Sequence, residues 1–121
     1  TLGDASFRWS EVFAANGTIN TSDAREKSEL RALLPAEIRA VKRVVAGIGA
    51  FQWMASVARK GDEARLHIGV TAQTVEAAFA AEGLDARRYG LFCADVVDGE
   101  ERLGVRYDQL FALALAAMLA A

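Results

Sequence analysis

The 121-residue chain has one cysteine, one histidine and one proline, and its longest apolar run is the twelve residues 110–121. Each scarcity excludes something. The lone Cys93 rules out an internal disulfide, and with only His67 beside it there are too few soft ligands for a Cys- or His-built metal centre. Neither metal nor other cofactor is expected. Twelve apolar residues fall short of the ~20 that cross a bilayer. Fourteen Lys/Arg stand against sixteen Asp/Glu, for a net charge of −2. The basic residues are dispersed, which argues against a nucleic-acid surface. What is plentiful is apolar: 53% of the chain, with 25% charged, as in a globular domain. Alanine alone supplies 25 residues. Much of it sits in the last helix-forming stretch, where small side chains cover little core and suit packing against copies of the same chain. No secretory leader is recognisable and Thr1 is not an initiator, so the sequence reads as a piece of something longer.

The pattern along the chain is α+β. Residues 7–13 and 18–21 carry Phe7, Trp9, Val12, Phe13 and Ile19 around Asn16-Gly17, a strong hairpin-turn signal, and predict two short strands. Two strands make no core of their own, so they need a partner from elsewhere. Asn16-Gly-Thr and Asn20-Thr-Ser match the glycosylation pattern, a weak signal without a leader. Asp23 as N-cap with Glu26 three residues on predicts a helix to about Leu34. Pro35 opens a second helix to about Gly47, with Ile38, Val41, Val44 and Val45 on one face. Residues 51–58 read as a strand, 60–63 as a hairpin turn and 65–70 as the returning strand. Residues 71–82 predict a helix closed by Gly83. A buried strand over 89–97, an Asp98-Gly99 turn and a strand over 103–106 follow, then a helix to Ala121. Cys93, Trp9, Trp53 and Phe92 are assigned to packing.

The stretch Asn16-Gly-Thr-Ile-Asn-Thr-Ser-Asp-Ala-Arg-Glu-Lys27 holds the candidate chemistry. Ser22 lies where a strand gives way to a helix, a place with unsatisfied backbone N–H groups. Lys27 could serve as its base if desolvated, as in Ser–Lys hydrolases. Five residues on an ideal helix subtend about 140°, so the pair meets only if Ser22 precedes the helix or the lysine comes from a neighbouring chain. The plain alternative is a capping serine and a solvated lysine. His67 is a structural histidine or a base near Ser22. Gln73 is a structural hydrogen-bonder or oxyanion support. Arg25 either disfavours the charge on Lys27 by like-charge repulsion or pairs with Glu29 at i+4.

These residues resemble the start of the intramolecular chaperone domain, peptidase family S74, which ends many bacteriophage tail spikes and fibres and occurs in myelin regulatory factor-like proteins. The element Thr-Ser-Asp-x-Arg-x-Lys27 is its most specific part. Leu2-Gly3 with Phe7-Arg8-Trp9 is similar to the end of a phage fibre stalk. His67-Ile-Gly-Val-Thr-Ala-Gln73-Thr-Val75 resembles the family's Gly-x-x-Ala-Gln core, with Thr74 where an acidic residue is usual. Gly104-Val-Arg-Tyr107-Asp-Gln-Leu110 resembles the opening of its C-terminal helix, which often runs on further than here.

The resemblance implies a homotrimer in which residues 1–21 end a β-rich stalk and residues 22–121 form a chaperone that aligns three chains. The chaperone then cuts itself away at Ser22, with Lys27 as base, in the virion tail or in the cytoplasm of an infected bacterium during assembly. The implied partners are copies of the chain and its own upstream stalk, with no nucleic acid or membrane. A free lysine, with a pKa near ~10.4, is neutral in about one molecule in two thousand at pH 7; burial on assembly would raise that share and gate the cut. Attack of Ser22 Oγ on the Thr21 carbonyl passes through a five-membered ring, whereas attack on its own carbonyl needs a strained four-membered one. Cleavage in cis therefore favours the Thr21–Ser22 bond, and attack from a neighbouring chain could select Ser22–Asp23. The alternatives are a non-cleaving trimerisation or adhesion domain with Ser22 as a helix cap, and a small binding module around Trp53.

Overall fold

The computed structural model describes residues 1–120. Four helices and two hairpins form the ordered body: α1 (Pro35–Ala46), β1 (Gly49–Phe51), α2 (Met54–Lys60), β2 (His67–Gly69), α3 (Ala72–Ala81), β3 (Phe92–Val97), β4 (Glu100–Val105) and α4 (Tyr107–Leu119). β1 pairs with β2 and β3 with β4, both antiparallel, as two separate two-stranded sheets. The class is α+β.

The core lies where α1 packs on α3 and α4. Val41 and Val44 of α1, Val75 and Phe79 of α3 and Leu110 of α4 are fully buried, and Leu91 and Phe92 close the side next to β3. Pro35 starts α1 because its fixed φ suits a first turn whose N–H has no intrahelical partner. Val45, expected on the buried face, points outward at 44% exposure. Thr71 caps α3 by accepting the Thr74 N–H at 3.1 Å. Gly83, at φ +74°, follows its end. The Asp98-Gly99 turn of the second hairpin has both residues at positive φ, the geometry that matches strand twist in a two-residue loop. Cys93 is half-buried rather than core, because the strand expected to be buried is covered only at its Phe92 end and is mostly exposed beyond it. Of the final helix expected to reach Ala121, that last residue lies outside the described residues.

Further expectations are not met. Residues 7–13 and 18–21 form no strands in the single chain; Phe7, Trp9, Phe13 and Ile19 are exposed, with no partner strand to supply hydrogen bonds or cover. The helix expected from Asp23 to Leu34 is one 3₁₀ turn, Ala24–Glu26. Asp23 does cap it, but Glu26 does not complete a capping box, and Lys27 returns to extended backbone. The strand expected over 51–58 ends at Phe51, and α2 replaces its remainder. The residues read as the following hairpin turn form a second 3₁₀ turn, Gly61–Glu63, and the returning strand shortens to β2. Trp53, assigned to packing, is 55% exposed and meets Phe51 edge-on with ring centroids 5.2 Å apart.

Gly69 explains one position of the Gly-x-x-Ala-Gln core. A Cβ there would lie 2.5 Å from the Tyr107 hydroxyl and 3.3 Å from the Phe51 ring. That hydroxyl cannot easily retreat, because it accepts the Val70 N–H and donates to the Val70 carbonyl, both at 3.1 Å. These bonds fasten the end of β2 to the start of α4. Gly69→Ala is expected to destabilise the domain by about 1–3 kcal/mol through overpacking. Thermal denaturation checks this; an unchanged midpoint would show that Tyr107 gives way freely.

Candidate functional site

The segment carrying Ser22 and Lys27 is built by the single 3₁₀ turn. Asp23 Oδ1 accepts the Arg25 N–H at 2.9 Å, and its carboxylate also binds the Arg25 guanidinium, the shortest contact being 2.7 Å. The Arg25 side chain, then its backbone N–H, hold the Asp23 carboxyl below its ordinary value, and Arg25 is raised in turn. The turn reverses the chain, so the residues flanking it meet: Lys27 Nζ donates to Ser22 Oγ at 2.7 Å. Ser22 stands before the turn and Lys27 after it, which removes the helical-face objection. The hydroxyl is also free of capping duty, since Asp23 performs it.

Arg25 does not pair with Glu29 in the single chain. Its partner is Asp23, two residues back, rather than Glu29, because the helix that would have brought Glu29 alongside does not form. Thr21, Ser22 and Lys27 are all exposed in the single chain, and Asp23 is half-exposed. The Arg25 N–H is taken by Asp23 and is not free to stabilise an oxyanion in this arrangement.

His67 and Gln73 lie elsewhere. Both line an open groove of about 910 Å³ between the first hairpin, the start of α3, β4 and α4, whose lining does not include Ser22 or Lys27. His67 stacks on Phe51 with ring centroids 5.6 Å apart. No hydrogen bond joins either residue to Ser22 or Lys27 among the described residues. The single chain does not bring them to the serine.

A cluster that no motif marks lies at the start of α1. Glu37, 1% exposed, accepts from both Arg31 guanidinium nitrogens at 2.9 and 2.7 Å, from the Leu34 N–H at 2.7 Å and from the Tyr89 hydroxyl at 2.7 Å. The Arg31 guanidinium holds its carboxyl at about 2, with the Leu34 and Tyr89 bonds assisting and burial opposing. Burial, reinforced by the Glu37 carboxylate, pushes the Tyr89 phenol up. The one sequence signal was an acid at the third position of a helix opened by Pro35. Such a residue can reach back to the N-cap N–H.

Among the described residues no group of three or more His, Cys, Asp or Glu is arranged to hold a metal, and no helix is long and apolar enough to cross a membrane.

Residues 22–84 match the peptidase S74 family, described as the chaperone of endosialidase. The chain is 39% identical over 97 residues to the side tail fibre protein pb1 of Escherichia phage T5, across 80% of this chain and 7% of that protein. It is 34% identical to the tail spike protein of Escherichia virus K5, across 97% of this chain and 21% of the relative. It is also 39% identical over 92 residues to the capsule K3-specific depolymerase 1 of Klebsiella phage KP32, across 74% of this chain and 10% of that protein. The chain therefore spans between 7% and 21% of the length of these relatives. Its fold is similar to the C-terminal domain of the bacteriophage T5 L-shaped tail fibre with its intramolecular chaperone domain, with a TM-score of 0.83 and 30% identity over 99% of this chain and 34% of the other. It also resembles a second intramolecular chaperone, with a TM-score of 0.71 and 27% identity over 82% of this chain and 96% of that one. The matched segment begins at Ser22 and runs through the Gly-x-x-Ala-Gln core into α3: the chain belongs to the peptidase S74 family of intramolecular chaperone domains found at the C-termini of phage tail fibres and spikes.

Proposed function

We propose that this domain assembles as a homotrimer, aligns the end of an upstream β-rich stalk that includes residues 1–21, and then severs itself by autoproteolysis at Ser22. Residues 22–121 are the part released. The observation that carries the reading is the 2.7 Å contact between Lys27 Nζ and Ser22 Oγ, made by a serine that caps nothing. The capping alternative loses its motive with that duty assigned to Asp23.

Neutral Lys27 reverses the hydrogen bond and accepts the Ser22 Oγ proton as the oxygen attacks the Thr21 carbonyl. The C–N bond of Thr21–Ser22 breaks, the nitrogen takes a proton to become the new amino group, and water hydrolyses the resulting ester to free the Thr21 carboxylate. In the single chain both side chains face solvent. Burying Lys27 between chains disfavours its charged form, so assembly itself would switch on the base.

Exposed apolar side chains favour assembly. Phe111, Leu115 and Met118 of α4 are 51–72% exposed and spaced four and three residues apart, which lines them up on one helix face. A stripe of this kind marks an association surface. Cleavage removes the template after folding, so the stalk is thereafter held by an unfolding barrier rather than by equilibrium.

The test is Lys27→Ala in a stalk-bearing chain, followed on a denaturing gel after trimer assembly. Loss of a general base is expected to slow cleavage on the order of 10²–10⁴-fold while the trimer still forms. Cleavage at the unaltered rate would remove lysine as the base.

A further inference from the structure

We infer that Arg31 is a positioning residue for the cleavage segment: its paired hydrogen bonds to Glu37 tie the chain to the core four residues beyond Lys27. The inference rests on the self-cleavage reading and adds a residue to it.

Residues 28–34 have no regular structure. Among the described residues, the only hydrogen bonds linking residues 1–33 to the chain beyond 34 are the two from Arg31 to Glu37. The two ends of this link differ in kind. The Arg31 side chain is 60% exposed and that of Glu37 2%. Glu37 is fixed by α1, by the Leu34 N–H and by Tyr89, whose ring packs edge-on against Phe79 with centroids 4.9 Å apart. Arg31 thus grips a point immobilised by α1, α3 and the approach to β3.

The consequence is a shorter untied stretch. Without the grip, residues 28–34 separate Lys27 from the first turn of α1; with it, only residues 28–30 are free. Fewer free residues leave fewer placements of the reactive turn relative to the body. Catalysis by proximity depends on that placement at the ångström scale. Planar, two-pronged contact sets direction as well as distance, which a lysine reaches only in part.

A purely structural role, neutralising a buried carboxylate, makes different predictions. In the full stalk-bearing chain, Arg31→Ala is expected to slow cleavage tenfold or more while trimers still form, and Arg31→Lys to give an intermediate rate. Arg39→Ala, which removes one of the two arginines on Glu82, leaves the rate unchanged. Millimolar guanidinium added to Arg31→Ala can replace the charge beside Glu37 but cannot tether the chain. Cleavage should stay slow in its presence, and restoration of the rate would overturn the inference. Should Arg31→Ala misfold, Glu37→Gln keeps the side chain's shape, loses the charge pair and is expected to show the same slowing; an unaltered rate there would also overturn it. A second arm does not depend on chemistry. In Ser22→Ala chains, the backbone heteronuclear NOE over residues 28–33 should fall when Arg31 becomes alanine. An unchanged NOE refutes the tether, whereas failure of the unaltered chain to cut refutes self-cleavage.

Discussion

Ser22→Ala is expected to leave the assembled trimer whole, with cleavage reduced on the order of 10⁴-fold or more, as when a serine hydrolase loses its nucleophile. The substitution removes only Oγ, the atom 2.7 Å from Lys27 Nζ. It leaves the local turn intact, because Asp23 supplies the cap and Arg25 the partner to that cap. Assembly and stability should therefore match the unaltered chain, and the effect should appear as an uncut band on a gel. Ser28→Ala, one residue beyond Lys27, removes a hydroxyl with no described side-chain bond and should cut normally. Normal cutting of Ser22→Ala would discard the serine mechanism outright.

The largest stability effect is expected at Glu37. Glu37→Ala removes the acceptor shared by the Arg31 guanidinium, the Leu34 N–H and the Tyr89 hydroxyl. The Arg31 side chain, 60% exposed, can turn to water, but leaving the part-buried Leu34 and Tyr89 donors without their acceptor costs about 1–3 kcal/mol each, a large share of what a small domain has. The same residue sets an acid limit. Its carboxyl is lowered from 4.5 to about 2, chiefly by Arg31. A lowered carboxylate contributes stability that is full above its unfolded value, near pH 4.5, and is lost as the pH falls towards 2. The contribution at neutral pH is about 3 kcal/mol. Urea titrations from pH 6 to pH 2 should show a steep loss in that window. Glu37→Gln should flatten the curve without abolishing it, because Arg39 and Arg43 also lower Glu82 and Arg87 also lowers Glu101. A slope identical to the unaltered chain would mean that Glu37 is not the controlling group.

Local chemistry made much of the fold legible. Pro35 before an apolar stripe marked α1, Thr71 and Gly83 bracketed α3, and Asp98-Gly99 marked the β3–β4 turn. What failed depended on distant contacts or on the turn of one helix. Residues 51–58 hold Phe, Trp and Val, which favour strands, yet the chain turns into α2 at Met54 with no side-chain cap to announce it. The N-terminal hydrophobic residues carry a strand pattern that finds no partner strand among the described residues. Ser22 and Lys27 were legible as a pair of residue types. Their meeting depended on a 3₁₀ turn taking the place of a longer helix. The Glu37–Tyr89 bond joins residues 52 apart in sequence, and the local signal at Glu37, an acid at the third position of α1, points only to the N-cap and not to Tyr89 or Arg31.

Intact-mass and N-terminal analysis of the assembled, stalk-bearing protein tests self-cleavage most directly. Autoproteolysis in cis predicts two products whose masses sum to the whole plus one water, with the smaller beginning at Ser22 and the larger ending at Thr21. A single uncut mass persisting in fully assembled trimers would contradict it.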